Sequence, residues 1–103
     1  MQIIRPATFK ADESWGAMDT ANMNGVSTRL HWTDQPYHWH VNDGNEVLIV
    51  VDGVVDMHYK HNGKTEVARL TSGDIFYTSS ATEHVACPAG EARIVVVENQ
   101  GSE

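Results

Sequence analysis

Four residues can do chemistry together: His38, His40, Glu46 and His84. The first three lie in HWHVNDGNE, residues 38–46, where two histidines stand two apart and a glutamate follows a short polar stretch. In an extended strand, residues i and i+2 share a face, so His38 and His40 project together about 6–7 Å apart at Cα. Both imidazoles then reach one ion at about 2.0–2.2 Å. Trp39, between them, points the other way. Past the turn at NDG, Glu46 opens the next strand and can bring its carboxylate to the same point. A fourth nitrogen ligand has to come from farther along, and His84 is the histidine that starts a late strand. Three imidazoles and one carboxylate suit a divalent transition metal (Fe, Mn, Ni, Cu or Zn) and are too rich in nitrogen for Mg or Ca. On an octahedral ion they leave two positions for water, substrate or dioxygen.

The elements that must position these residues read almost entirely as β. VSTRLHWT (26–33) alternates, with Val26, Leu30 and Trp32 on one face and Ser27, Arg29, His31 and Thr33 on the other. His31, like His58 and His61, reads as a solvated side chain on a polar face or in a turn. Asp34-Gln35-Pro36 turns the chain, since Pro fixes φ and donates nothing to a ladder. Further strands are expected at 37–41, 46–51, 54–60, 65–70, 75–78, 84–87 and 92–98. Asn62–Gly63 between two of them is the strongest hairpin signal in the chain. The first 25 residues are the least patterned; they hold one short helix around Phe9 to Trp15 and a turn at Asn24–Gly25. Eight or so short strands with little helix mean a β-sandwich or barrel. EVLIVV (46–51) and RIVVV (93–97) are apolar on both faces, whereas a half-wet sheet alternates. With Glu46, Leu48 and Val50 inward, Val47, Ile49 and Val51 need cover outside. A second subunit, making a homodimer, is the preferred cover, and the N-terminal segment folded over the sheet is the alternative.

With 103 residues the chain is one domain: an N-terminal segment (1–25) packing on or extending a barrel (26–98), and a tail (99–103). The formal charge is −7, and the seven Lys and Arg are scattered, so nothing neutralises a run of phosphates and nucleic acid is not a partner. No apolar run approaches the roughly 20 residues that span a bilayer, and the start lacks the apolar stretch of a secretory signal, so a cytoplasmic protein without a membrane partner is expected. One cysteine, Cys87, rules out an internal disulfide and reads as an inert thiol.

From about Val26 to Glu98 the sequence resembles the small single-domain cupins. That family's first motif, G-x5-H-x-H-x3-4-E-x6-G, is matched by His38, His40, Glu46 and Gly53, and its second, G-x5-P-x-G-x2-H-x3-N, by Gly73 and His84. The resemblance implies an all-β, double-stranded β-helix (jelly-roll) barrel with His38, His40, Glu46 and His84 as metal ligands facing inward. The departures are specific. Five residues separate His40 from Glu46 where the family has three or four, and the extra one is assigned to the turn near Gly44, because turns absorb insertions. Trp32 stands at the first motif's leading glycine, and Ser79, Ala81 and Pro88 replace the second motif's Pro, Gly and Asn. An ungapped match would instead place Trp39 and Val41 at the histidine positions.

The expected protein is a metal-binding cupin open to a small organic molecule, with Tyr37, Phe76 and Tyr77 as pocket residues. The resemblance implies dioxygenase, isomerase, cyclase or lyase chemistry, and the fold does not choose among them. Glu46 is the catalytic candidate, able to leave the metal and take a proton. The alternative is a non-catalytic small-molecule-binding or storage cupin with structural or no metal. Open coordination separates the two, since a structural site is closed by protein.

Overall fold

The structure, a computed structural model, describes residues 1–100; residues 101–103 of the expected tail lie outside the described residues. Nine strands follow one 3₁₀ turn at Pro6–Thr8: β1 Gly16–Met23, β2 Val26–Thr33, β3 His40–Val41, β4 Glu46–Asp52, β5 Val55–His61, β6 Lys64–Leu70, β7 Ile75–Thr78, β8 Glu83–Pro88 and β9 Ala92–Asn99. They form two antiparallel sheets, ordered β1-β2-β9-β4-β7 and β3-β8-β5-β6. The all-β architecture expected from the strand pattern, and the jelly roll that the resemblance implies, are observed. Among the described residues no helix is long and apolar enough to cross a membrane.

The register dictates what faces inward. Across the five-stranded sheet, Ser27, Glu98, Glu46 and Thr78 form one row; Arg29, Val96, Leu48 and Phe76 form the next; His31, Ile94 and Val50 form the third. Because side chains alternate along a strand, all three rows share the inner face. The apolar members meet Val55, Met57, Leu70 and Ala86 of the other sheet in one closed core. That core fills one end of the sandwich. The polar members of the rows collect at the other end, and there the site lies.

Two expectations fail, one in the N-terminal segment and one in β2. No helix spans Phe9 to Trp15; the chain makes the 3₁₀ turn and then β1, which pairs with β2 through Asn24–Gly25. Asn24 and Gly25 sit at φ 55° and 80°, the two left-handed positions of a tight hairpin turn. The sequence of β1, GAMDTANM, has small and polar residues where a half-buried strand has apolar ones, and it forms the edge of its sheet. The polar face of β2 is the second reversal. Arg29 and His31 turn inward, while Leu30 and Trp32 lie buried on the outer face, where Trp32 meets the N-terminal segment. The Lys10 ammonium sits 5.3 Å from the Trp32 ring centroid, and the Trp32 indole donates to Glu91 at 2.9 Å. Arg93 anchors the segment by donating to the Phe9 carbonyl at 2.9 Å and to Asp52 at 2.8 Å. Some of the cover expected from a partner subunit therefore comes from the chain's own first residues.

Candidate metal centre

Three of the four candidate ligands converge. One ligand atom each from His40, Glu46 and His84 lies within 4.8 Å of the others, the only such group among the described residues. β3 pairs with β8 so that His40 stands directly opposite His84, and their ring centroids are 4.3 Å apart. Glu46 arrives from the other sheet and places Oε1 3.1 Å from His84 Nε2. Glu46 and His84 are buried, and His40 is half-buried. Trp39 and Val41 point outward, 44% and 49% exposed, which rejects the ungapped alternative.

His38 is not brought into this group. Only His40 and Val41 are in the ladder, so the strand expected over 37–41 is mostly irregular and the i, i+2 rule does not extend to residue 38. The backbone bends instead: the His38 carbonyl accepts a hydrogen bond from His40 Nδ1 at 2.9 Å. The exposed His38 ring stacks on Tyr37 at 4.1 Å, 5.5 Å from the His40 ring. Tyr37 lines the cavity beside the three converging residues; Phe76 does not, its ring centroid lying 5.8 Å from that of His84. Tyr77 does not line it; it is paired with Val47 on the outer face and 61% exposed.

The donor set fits a divalent transition ion. His84 Nδ1 donates to the Thr82 carbonyl at 2.9 Å, as His40 Nδ1 does to His38. Each imidazole is thus held with Nε2 as its ligand nitrogen, by the outer hydrogen bond that metal-binding histidines use. Two imidazoles and a carboxylate suit Fe, Mn, Ni, Cu or Zn, and these three residues can hold such an ion. Burial opposes charge on both Glu46 and His84, yet their mutual hydrogen bond prevails, holding the Glu46 carboxyl below its ordinary value and His84 above. Burial, reinforced by the nearby His84, pushes His40 down. The proton shared by the Glu46–His84 pair is the one a cation displaces, because metal binding takes deprotonated ligands.

Around the triad lies a cavity of about 260 Å³. Leu48, Ala86 and Val96 give it an apolar floor, and Arg29, His31 and Glu98 a polar wall. Glu98, the ladder partner of Glu46, is pushed up to about 8, by burial first and then by its hydrogen bond with Glu46. A larger polar hollow, about 430 Å³, lies beyond Arg29 and Glu98 along β1 and holds none of the triad. Sequence reasoning missed His31, Arg29, Glu98 and Trp15 as cavity residues. The signal available for three of them was β pairing: once Glu46 faces inward, its neighbours in the register must too. Cys87 stays outside the cavity lining, half-buried, with its thiol pushed up by burial, in keeping with an inert role.

No family model matches this chain, and no curated protein does. Solved structures do. A cupin-2 domain protein from Shewanella frigidimarina superposes with a TM-score of 0.78 at 22% identity, over 87% of this chain and 85% of that one. A cupin superfamily protein from Desulfitobacterium hafniense gives 0.76 at 12% identity, over 91% and 85%. Hydroquinone 1,2-dioxygenase from a Sphingomonas species, with 4-hydroxybenzoate bound, gives 0.76 at 17% identity, over 86% of this chain and 28% of that one. Two antiparallel sheets in jelly-roll order, closing over an inward His–Glu–His set and matched by these structures, make the chain a small cupin-fold domain.

Proposed function

We propose that the protein binds one divalent transition metal through His40, Glu46 and His84 and uses the open side of that ion to bind, and act on, a small organic molecule. The observation that carries this is the convergence of two carbonyl-oriented imidazoles and a buried carboxylate at the edge of a cavity large enough for a ligand. Three protein ligands leave coordination open, as catalytic sites do. A bound ion supplies Lewis acidity at that position and, if iron, redox chemistry toward dioxygen. The chain's own residues do the rest. The apolar floor excludes water and Tyr37 closes one side, while the polar wall orients the ligand. Glu46, freed by the ion of the proton it shares with His84, is the group placed to leave the ion and take a proton from the ligand. A dioxygenase is among the solved structures that share this fold, and isomerase, cyclase and lyase steps use the same open position. Metal analysis of the protein purified without added salts is expected to find close to one equivalent. Less than about a tenth, not restored by Fe, Mn, Ni or Zn, overturns the proposal.

A second reading has its own observation. Glu46 and His84 satisfy each other at 3.1 Å, a pair that can close the site without metal, as in a non-catalytic binding cupin. Under that reading the purified protein holds no metal and the Glu46–His84 bond persists when metals are offered.

We also propose a homodimer. On the edge strand β7, Ile75 and Tyr77 are 64% and 61% exposed beside Val47 and Ile49, an apolar unpaired edge of the kind that a second copy covers.

A further inference from the structure

The wall of the cavity away from the triad is built around one strained residue. Trp15 holds φ at +64°, which for a bulky side chain is an outlier that the surroundings must enforce. All of its polar groups are pinned. Its N–H donates to the Trp32 carbonyl at 2.9 Å, its indole N–H donates to the Gln35 carbonyl at 2.9 Å, and its own carbonyl accepts from His31 Nδ1 at 3.0 Å. The indole lies edge-on to Tyr37 at 5.1 Å and to His31 at 5.9 Å, and all three line the cavity. A carbonyl only accepts, so Nδ1 of His31 carries the hydrogen and Nε2 is left as an acceptor for a ligand. Burial pushes His31 down, which keeps that nitrogen neutral near pH 7. Farther along the same wall, Glu98 has one oxygen, Oε2, buried without a hydrogen-bond partner.

We infer that this cavity takes a small, flat ring bearing a hydroxyl group, lying against the Trp15–Tyr37 pair with the hydroxyl donating to His31 Nε2. At ~30 Å³ per water-sized group the 260 Å³ cavity has room for about nine such groups, enough for one six-membered ring with a few substituents. Two aromatic edges and an apolar floor favour a planar apolar body. A lone imidazole acceptor in a half-buried wall favours a donor over a non-donor of the same shape, because an acceptor left unpaired in the complex is costly. The inference rests on the cavity being the ligand pocket proposed above, but it does not need the metal.

The test therefore uses metal-stripped full-length protein, titrated with phenol and with toluene and followed by the His31 ring resonances and the Trp15 indole N–H. Phenol is expected to bind about tenfold more tightly than toluene, the worth of one hydrogen bond, and to shift both sets of resonances. His31→Leu is expected to bring the two ligands within twofold of each other, and Trp15→Leu to weaken both alike. Should His31→Leu fail to fold, His31→Gln and the wild-type resonance shifts carry the test. Equal binding of phenol and toluene to the wild type, phenol binding that leaves the His31 resonances unmoved, or no binding of either, overturns the inference. Metal loading is measured on the same preparation. Metal uptake without phenol binding removes this inference alone, and phenol binding without metal uptake removes the metal proposal alone.

Discussion

His31 shows how a single imidazole can differ in the fold from its free state in a way that can be measured. Burial lowers its pKa, with Arg29 adding to the effect, while the Trp15 carbonyl and Glu46 act against it. A histidine whose folded value is depressed binds fewer protons folded than unfolded. Its contribution is therefore neutral above the ordinary value near 6.5 and becomes a growing penalty as the pH falls toward the folded value. In metal-free protein, His31→Gln, which keeps a donor for the Trp15 carbonyl, is expected to gain stability relative to the wild type as the pH goes from 8 to 5. Urea unfolding at the two pH values reads this, and a difference that does not change with pH would contradict it. His38 offers the opposite case. Its spacing from His40 suggested a shared ligand, but its ring is stacked on Tyr37 outside the group. His38→Ala is accordingly expected to leave metal affinity within a few-fold of the wild type.

The hairpins explain what was readable. Asn62–Gly63 takes φ values of 52° and 76° and joins β5 to β6, as the dipeptide between two β-rich runs implied. Gly63→Ala is expected to cost about 1–2 kcal/mol, the penalty for placing an L side chain in the left-handed region, read by thermal or urea unfolding. Asn24–Gly25 has the same geometry, yet the strand before it went unrecognised. Turn chemistry signals only the bend; a strand shows itself through apolar alternation, which β1, an edge with no core to face, lacks. The inward Glu46, Leu48 and Val50 were legible although EVLIVV is apolar on both faces, because Glu46 as a ligand candidate sets the phase of the strand, and the burial alternates in that phase. Arg29 and His31 were not, because polarity suggests solvent and a cavity that needs polar walls reverses that inference. The short β3 was over-read for a similar reason: HWH has strand spacing, but Pro36 and the His38–His40 bond bend the chain before the ladder begins. Arg93 ties the N-terminal segment to this scaffold. Arg93→Ala is expected to cost about 1.5–3 kcal/mol for its charged hydrogen bonds and to open residues 1–15 to limited proteolysis.

Taken together, the domain has a dry end and a wet end. One half of the sandwich is closed by aliphatic side chains, and the other half gathers imidazoles, carboxyls and an arginine around a cavity. The N-terminal segment packs on Trp32 at the outer face of β2 and leaves Ile75 and Tyr77 of β7 exposed, so association is expected through β7. Sedimentation at micromolar concentration is expected to show a dimer that Tyr77→Lys dissociates. A monomeric wild type would contradict the dimer. The proposed metal site draws on both sheets, His40 on β3 and His84 on β8 from one and Glu46 on β4 from the other, so metal binding tests whether the sandwich closes as described. The decisive measurement is calorimetric titration of the metal-free protein with Mn(II) or Zn(II), comparing wild type, His84→Ala and His38→Ala, with folding checked by circular dichroism. One equivalent bound by wild type and His38→Ala, and at least tenfold weaker binding by folded His84→Ala, is the result predicted. Equal affinity in His84→Ala, or loss in His38→Ala alone, would contradict it.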